Sequence, residues 1–263
     1  MPSCATKEGG AASRLAGAVL PAPFLRGEMG LPDRDGYSGK TISLKDSRGE
    51  AFRAIFQKTY RIISVQFANP GIRGIKGFIF YGETGVGKTY MAKILAHELS
   101  VPLMFVDSAT VARKHYGESE QLISKLFQEA MHNKALLLFD DVEALFMDRT
   151  MEGSEKWNSA QNNVLFHQLD NLDTSRCAVI LTTNLINFLD KALRDRLYPI
   201  EFPLPNLETL IAVAQMRCRD FNITSEAVEK SITAAPENFR SMRAVEKAVL
   251  DEYIRQLEAR PLR

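Results

Sequence analysis

The stretch that most restricts what this 263-residue chain can become is Gly82-Glu83-Thr84-Gly85-Val86-Gly87-Lys88-Thr89. An apolar run, Phe78-Ile79-Phe80-Tyr81, leads into it, and a helix-forming segment follows. The eight residues fit G-x-x-x-x-G-K-[ST] without a mismatch, in the strand–turn–helix setting that gives the pattern its meaning. Glycines let the backbone curl until successive N–H groups point at one anion. The positive end of the following helix faces the same place. Lys88 can reach outer phosphates, and the Thr89 hydroxyl can ligate Mg²⁺. The stretch predicts a cradle for a nucleoside triphosphate.

A second signal stands some fifty residues downstream. Leu136-Leu137-Leu138-Phe139-Asp140-Asp141 is an apolar strand ending in two acids. Open α/β sheets place their ligand crevice at the carboxyl ends of their strands. In a phosphate-loop ATPase, Asp140 would hold Mg²⁺ through water and Asp141 would polarise the attacking water. The next apolar run, Val179 to Thr182, leads through Thr183 to Asn184. From that edge the Asn184 amide can hold the water or touch the γ-phosphate.

Strands alternating with helices predict an α/β, doubly wound, mostly parallel sheet. The expected strands are 78–81, 103–107, 135–139 and 178–182, with helices over 50–66, 89–99, 156–172 and a loop-to-helix stretch over 114–132. A short strand is expected at Thr41-Ile42-Ser43-Leu44. After Pro203-Leu204-Pro205 the pattern turns helical, near 206–220, 224–234 and 239–258. The expected organisation is a flexible tail over 1–36, a phosphate-loop domain over 37–203 and a small helical lid over 204–263.

Several motifs in order make the chain similar to the AAA clade of the AAA+ ATPases over about 45–255. Gly82–Thr89 resembles the Walker A motif, Leu136–Asp141 the Walker B motif and Thr182-Thr183-Asn184 sensor 1. Gly117-Glu118-Ser119-Glu120 is similar to the stretch that follows the clade's first pore loop. Leu189-Asp190-Lys191-Ala192-Leu193, running on to Glu201-Phe202-Pro203-Leu204-Pro205, resembles its second region of homology. The resemblance implies ATP and Mg²⁺ as ligands and a ring, usually a hexamer, with ATP held between subunits. It implies an arginine from the neighbouring subunit at Arg194 or Arg196, with Arg196 favoured. Arg240, or Arg243, falls where a sensor 2 arginine would reach the γ-phosphate.

The chain departs from the clade's pattern in places. Asp141 stands where Glu is usual, so hydrolysis is expected to be slow or helped by Glu143. The two arginines are two apart instead of three. His115, with Tyr116 beside it, replaces the usual pore-loop aromatic.

Three functions follow from these readings. One is a ring that remodels, unfolds or disassembles a protein, threading it past His115 and Tyr116. The second is a nucleic-acid factor of the helicase-loader or transposition type. The third is a scaffold whose assembly is timed by weak hydrolysis. A formal net charge of +1 gives no bulk attraction to nucleic acid and argues against the second. Cys4, Cys177 and Cys218 are odd in number and far apart, which argues against a disulfide framework or a zinc site. No apolar run approaches the ~20 residues that span a bilayer. The expectation is a soluble intracellular protein of the cytoplasm, with an organelle transit segment at the N-terminus as the alternative.

Overall fold

A computed structural model describes residues 49–108, 111, 118–145, 156–237 and 240–259. The 1–36 tail, the expected strand at Thr41–Leu44, and the His115, Tyr116 and Gly117 positions lie outside them.

Among the described residues five strands form one sheet: β1 Gly77–Tyr81, β2 Leu103–Asp107, β3 Leu136–Asp140, β4 Ala178–Thr183 and β5 Tyr198–Glu201. Their order is β2-β3-β4-β1-β5, and every pairing is parallel. Parallel strands need crossover connections, and helices supply them. Among the described residues these are α2 Lys88–Glu98, α3 Glu118–His132, α4 Lys156–Asp170 and α5 Lys191–Arg196, while α1 Glu50–Ala68 precedes β1.

Helices on both faces explain why the strands read as continuous apolar runs. Successive strand side chains point to opposite faces. Phe78, Phe80, Leu136, Leu138, Ala178 and Ile180 therefore meet Phe56, Ile63 and Phe67 of α1 and Met91, Ile94 and Leu95 of α2 in one buried cluster. Phe139 points to the other face, where its ring lies 6.2 Å from that of Phe127 on α3.

The sequence pattern misses α5 and β5. Six residues hold under two turns, too few for a 3.6-residue period to show. The strand Tyr198-Pro199-Ile200-Glu201 contains a proline, which lowers its strand signal. Proline is tolerated there because, among the described residues, β5 is an edge strand, hydrogen-bonded on one side only.

Beyond Phe202 come α6 Leu207–Phe221, α7 Glu226–Ala234 and α8 Met242–Glu258. They share a core of Leu210, Ala214, Cys218, Val228, Ile232, Val245 and Val249, separate from the cluster under the sheet. Local signals set their ends. The Asn206 carboxamide accepts from the Thr209 N–H (2.8 Å) and caps α6, whose far end is closed by Asn222 in the left-handed region. Ser241 accepts from the Ala244 N–H (3.2 Å) and starts α8 three residues later than the periodicity suggested.

Candidate functional site

The register fixes the site. Tyr81 is level with Thr183, and Phe139 with Leu181, so the chain leaves β1, β3 and β4 at one edge of the sheet. Gly82, Asp140-Asp141 and Asn184 meet there, with β4 standing between the other two strands.

The loop curls tightly and sits against its surroundings. Gly82 has φ 142°, and a Cβ at this position would lie 2.3 Å from the Phe202 carbonyl oxygen, so only glycine fits. Gly85 has φ 80°, with Arg243 Cβ and Ser241 side-chain atoms 3.1–3.3 Å from where its Cβ would stand. Val86 is buried, Glu83 and Thr84 are exposed, and Gly87 is the N-cap of α2. The Phe52 ring packs beside Gly87 and 6.4 Å from the Phe202 ring, walling the loop from below. Sequence reasoning missed Phe52 and Phe202 as loop supports, since nothing in their spacing marks them.

Lys88 is 6% exposed. Its Nζ donates to the Gly82 carbonyl (2.8 Å), the Glu83 carbonyl (2.9 Å) and Asn184 Oδ1 (2.8 Å). All three ammonium protons are thus directed at oxygens. Burial pulls its pKa below the ordinary lysine value, while the carboxylates of Asp141, Glu143, Asp140 and Glu83 hold it up.

Beside it, Asp140 Oδ1 accepts from two hydroxyls, Thr89 Oγ1 (2.7 Å) and Thr182 Oγ1 (2.6 Å). Thr182 Oγ1 in turn accepts from the Asp141 N–H (3.0 Å). Asp141 sits in the left-handed region at φ 50°, ψ 62°, turning the chain out of β3 into a 3-10 turn, Val142–Ala144. A non-glycine residue in that conformation is a strained exception of the kind that clusters at functional sites. Partial burial raises the Asp141 pKa, as do the charges of Asp140 and Glu143, against the pull of Lys88 and Arg243. Glu143 Oε1 accepts from Thr183 Oγ1 (2.9 Å) and from the Asn184 N–H.

The expected arginines part company. Arg196 forms a two-pronged pair with Asp170, Nε to Oδ1 and Nη2 to Oδ2, both 3.1 Å, and its Nη1 donates to the Ala192 carbonyl (3.0 Å). Its guanidinium also covers the Phe166 ring at 4.9 Å. Arg194, two residues away, has a buried Nε without a hydrogen-bond partner among the described residues. Arg240 donates to the Ala235 and Thr233 carbonyls at the end of α7, at 2.9 and 3.2 Å. That is the role of a cation at a helix C-terminus. Of the two candidates for sensor 2, Arg243 is the one beside the phosphate loop.

Among the described residues no cluster of three His, Cys, Asp or Glu side chains could cage a metal. One hydroxyl and one carboxylate suit a hard cation that keeps several of its waters, as Mg²⁺ does. Thr89 fits that use: its proton is already committed to Asp140, which leaves its oxygen lone pairs for a cation.

A five-stranded parallel sheet, a phosphate loop between β1 and α2, and acids at the end of β3 define a phosphate-loop NTPase. Residues 78–204 match the family model for the "ATPase family associated with various cellular activities (AAA)". The match identifies 78–204 as an AAA domain, of the kind found in the AAA clade of the AAA+ ATPases. The chain is similar to the proteasome-activating nucleotidase of Thermococcus onnurineus, 34% identical over 167 residues, 60% of this chain and 41% of that protein. The Saccharomyces cerevisiae 26S proteasome regulatory subunit 8 homolog is 32% identical over 168 residues, with 60% and 41% covered. Homolog B from Arabidopsis thaliana is 29% identical over 167 residues, with 60% and 39% covered. The match therefore spans about two-fifths of each relative's length.

Proposed function

We propose that this chain binds ATP with Mg²⁺, hydrolyses it as one subunit of a hexameric ring, and uses the cycle to remodel or unfold a protein partner. The observation that carries this is the convergence of Lys88, Thr89, Asp140, Asp141 and Asn184 at one sheet edge beside a loop of inward-curling backbone. Residues 37–203 serve as the ATPase domain and 204–263 as its lid.

Each residue has a distinct task. The main-chain N–H groups of 82–89 receive the phosphates, and Lys88 neutralises the outermost charge. Thr89 and Asp140 hold the cation, which supplies charge neutralisation on the transferring phosphoryl group. Asp141 orients and polarises the water, and the Asn184 amide fixes its direction of approach. Arg243 reaches the outer phosphate from the lid side. Arg194 or Arg196, from a neighbouring subunit, completes the site. Catalysis of this kind is mostly positioning and charge stabilisation.

The relatives named as a proteasome-activating nucleotidase and as 26S proteasome regulatory subunits support a protein partner over a nucleic acid. The near-neutral net charge of +1 points the same way. The test is an ATPase assay on Lys88→Ala alongside light scattering in ATP. Removing one such preorganised donor is expected to lower turnover ~10²–10³-fold, and undiminished hydrolysis would sink the reading. DNA-stimulated, salt-sensitive turnover would instead favour a nucleic-acid factor.

A further inference from the structure

Glu143 stands three residues beyond Asp140, outside the acid pair that ends β3. Its Oε1 takes two protons from the end of β4: the Thr183 hydroxyl at 2.9 Å and the Asn184 main-chain N–H. The same hydroxyl accepts from the Leu185 N–H at 3.0 Å. One carboxylate oxygen thus ties three consecutive residues of the turn that leaves the sheet. The middle residue, Asn184, places its Oδ1 on Lys88.

Lys88 has no proton to spare in this arrangement. An ammonium has three donors, and Gly82, Glu83 and Asn184 take them all. To donate to a phosphate oxygen it must release at least one. The two carbonyls belong to the loop backbone, whereas the Asn184 carboxamide is an exposed side chain that can swing by rotation about its own bonds. The incoming phosphate therefore displaces Asn184.

We infer that Glu143 is a positioning residue: it clamps the main chain at Thr183 and Asn184, so that the Asn184 amide, once displaced from Lys88, swings to the attacking water and does not drift with a loosened loop. This rests on the ATPase reading above and deepens it. Glu143 itself carries no proton in the reaction; Asp141 remains the carboxylate beside the water. The clamp needs an acceptor oxygen at that point, not a negative charge.

Glu143→Gln keeps the oxygen and loses the charge, whereas Glu143→Ala loses both. ATP turnover and KM should be measured for wild type, Glu143→Gln, Glu143→Ala and Thr183→Val, with hydrogen exchange at the Asn184 amide recorded without nucleotide. Glu143→Gln should stay within about threefold of wild type in kcat, and Glu143→Ala should fall about ten- to a hundredfold with KM little changed. Thr183→Val, which keeps the side-chain shape, should fall in the same direction by less, and it carries the test should Glu143→Ala fail to fold. Exchange at Asn184 should quicken in Glu143→Ala and not in Glu143→Gln. A Glu143→Gln variant as slow as Glu143→Ala would overturn the inference by making the charge essential, as for a base. Unchanged kcat in Glu143→Ala, or a rise in KM alone, would overturn it as well. Wild type without turnover defeats the ATPase reading itself, and the inference with it, and that result is distinct from any variant effect.

Discussion

The Met242 main-chain N–H donates to the Gly85 carbonyl over 3.0 Å. The first residue of α8 is thereby tied to the middle of the phosphate loop. Arg243 and Ser241, on either side of Met242, press against the same glycine. The helical part and the loop meet through backbone, so a change in the loop's curvature has a direct route to α8.

That contact makes Gly85→Ala informative. At φ 80° an L-residue carries a penalty of about 1–2 kcal/mol. The new methyl must also displace Arg243 or Ser241. Urea unfolding should show a loss of that order, and titration with a fluorescent ATP analogue should show weaker binding. Unaltered affinity would mean that the loop and α8 are not coupled.

The two arginines of α5 should separate by assay. Arg196 is held in its own subunit by Asp170, so Arg196→Ala should lower the thermal midpoint. Arg194 makes no such pair among the described residues, so Arg194→Ala should leave the midpoint nearly unchanged while turnover of the assembled protein falls ~10³-fold. Mixing Arg194→Ala with Lys88→Ala subunits should restore part of the activity if the arginine acts across an interface. The reverse pattern would return the role to Arg196.

Asp170 also makes stability depend on pH. Hydrogen bonds from Arg196 and Lys76 lower its pKa to about 2, from an ordinary value of 3.8. A depressed carboxylate stabilises the fold above its unfolded pKa, and that contribution disappears as pH falls from about 4 towards 2. Asp170 is half exposed, so solvent screening trims the effect. Urea midpoints at pH 5, 4 and 3 should fall less steeply for Asp170→Asn than for wild type. Parallel curves would show that the pair adds nothing.

Asp141→Asn keeps the size of the side chain and removes the charge beside the water. Hydrolysis should slow ~10²-fold or more, while nucleotide affinity stays or rises because a negative charge near the phosphates has gone. Such a variant should hold a protein partner long enough for isolation. Fast turnover in it would move the water-polarising role elsewhere.

Much of the site was legible because its residues carry their own punctuation. The glycines and Lys88-Thr89 mark the loop, the apolar run into Asp140-Asp141 marks β3, and Thr182-Thr183-Asn184 marks the end of β4. Strand order was not legible, since no local pattern says that β4 lies between β1 and β3. Nor was the pairing of Arg196 with Asp170, which are 26 positions apart. Arg240 and Arg243 look alike in the sequence. Only the carbonyls at the end of α7 and the approach of α8 to Gly85 tell them apart.

The place of β4 has a mechanical consequence. Thr182 bonds to the acid of one neighbouring strand, and Asn184 bonds to the lysine beyond the other. Lys88 and Asp140 are the two groups whose separation a triphosphate and its cation would set. A strand wedged between them acts as a gauge of that gap. Any widening or narrowing must be taken up in β4 and passed to Leu185, Phe188 and α5, where Arg194 sits. If Arg194 is the arginine that completes a neighbouring subunit's site, the ligand's presence in one subunit would be written into the position of the side chain offered to the next.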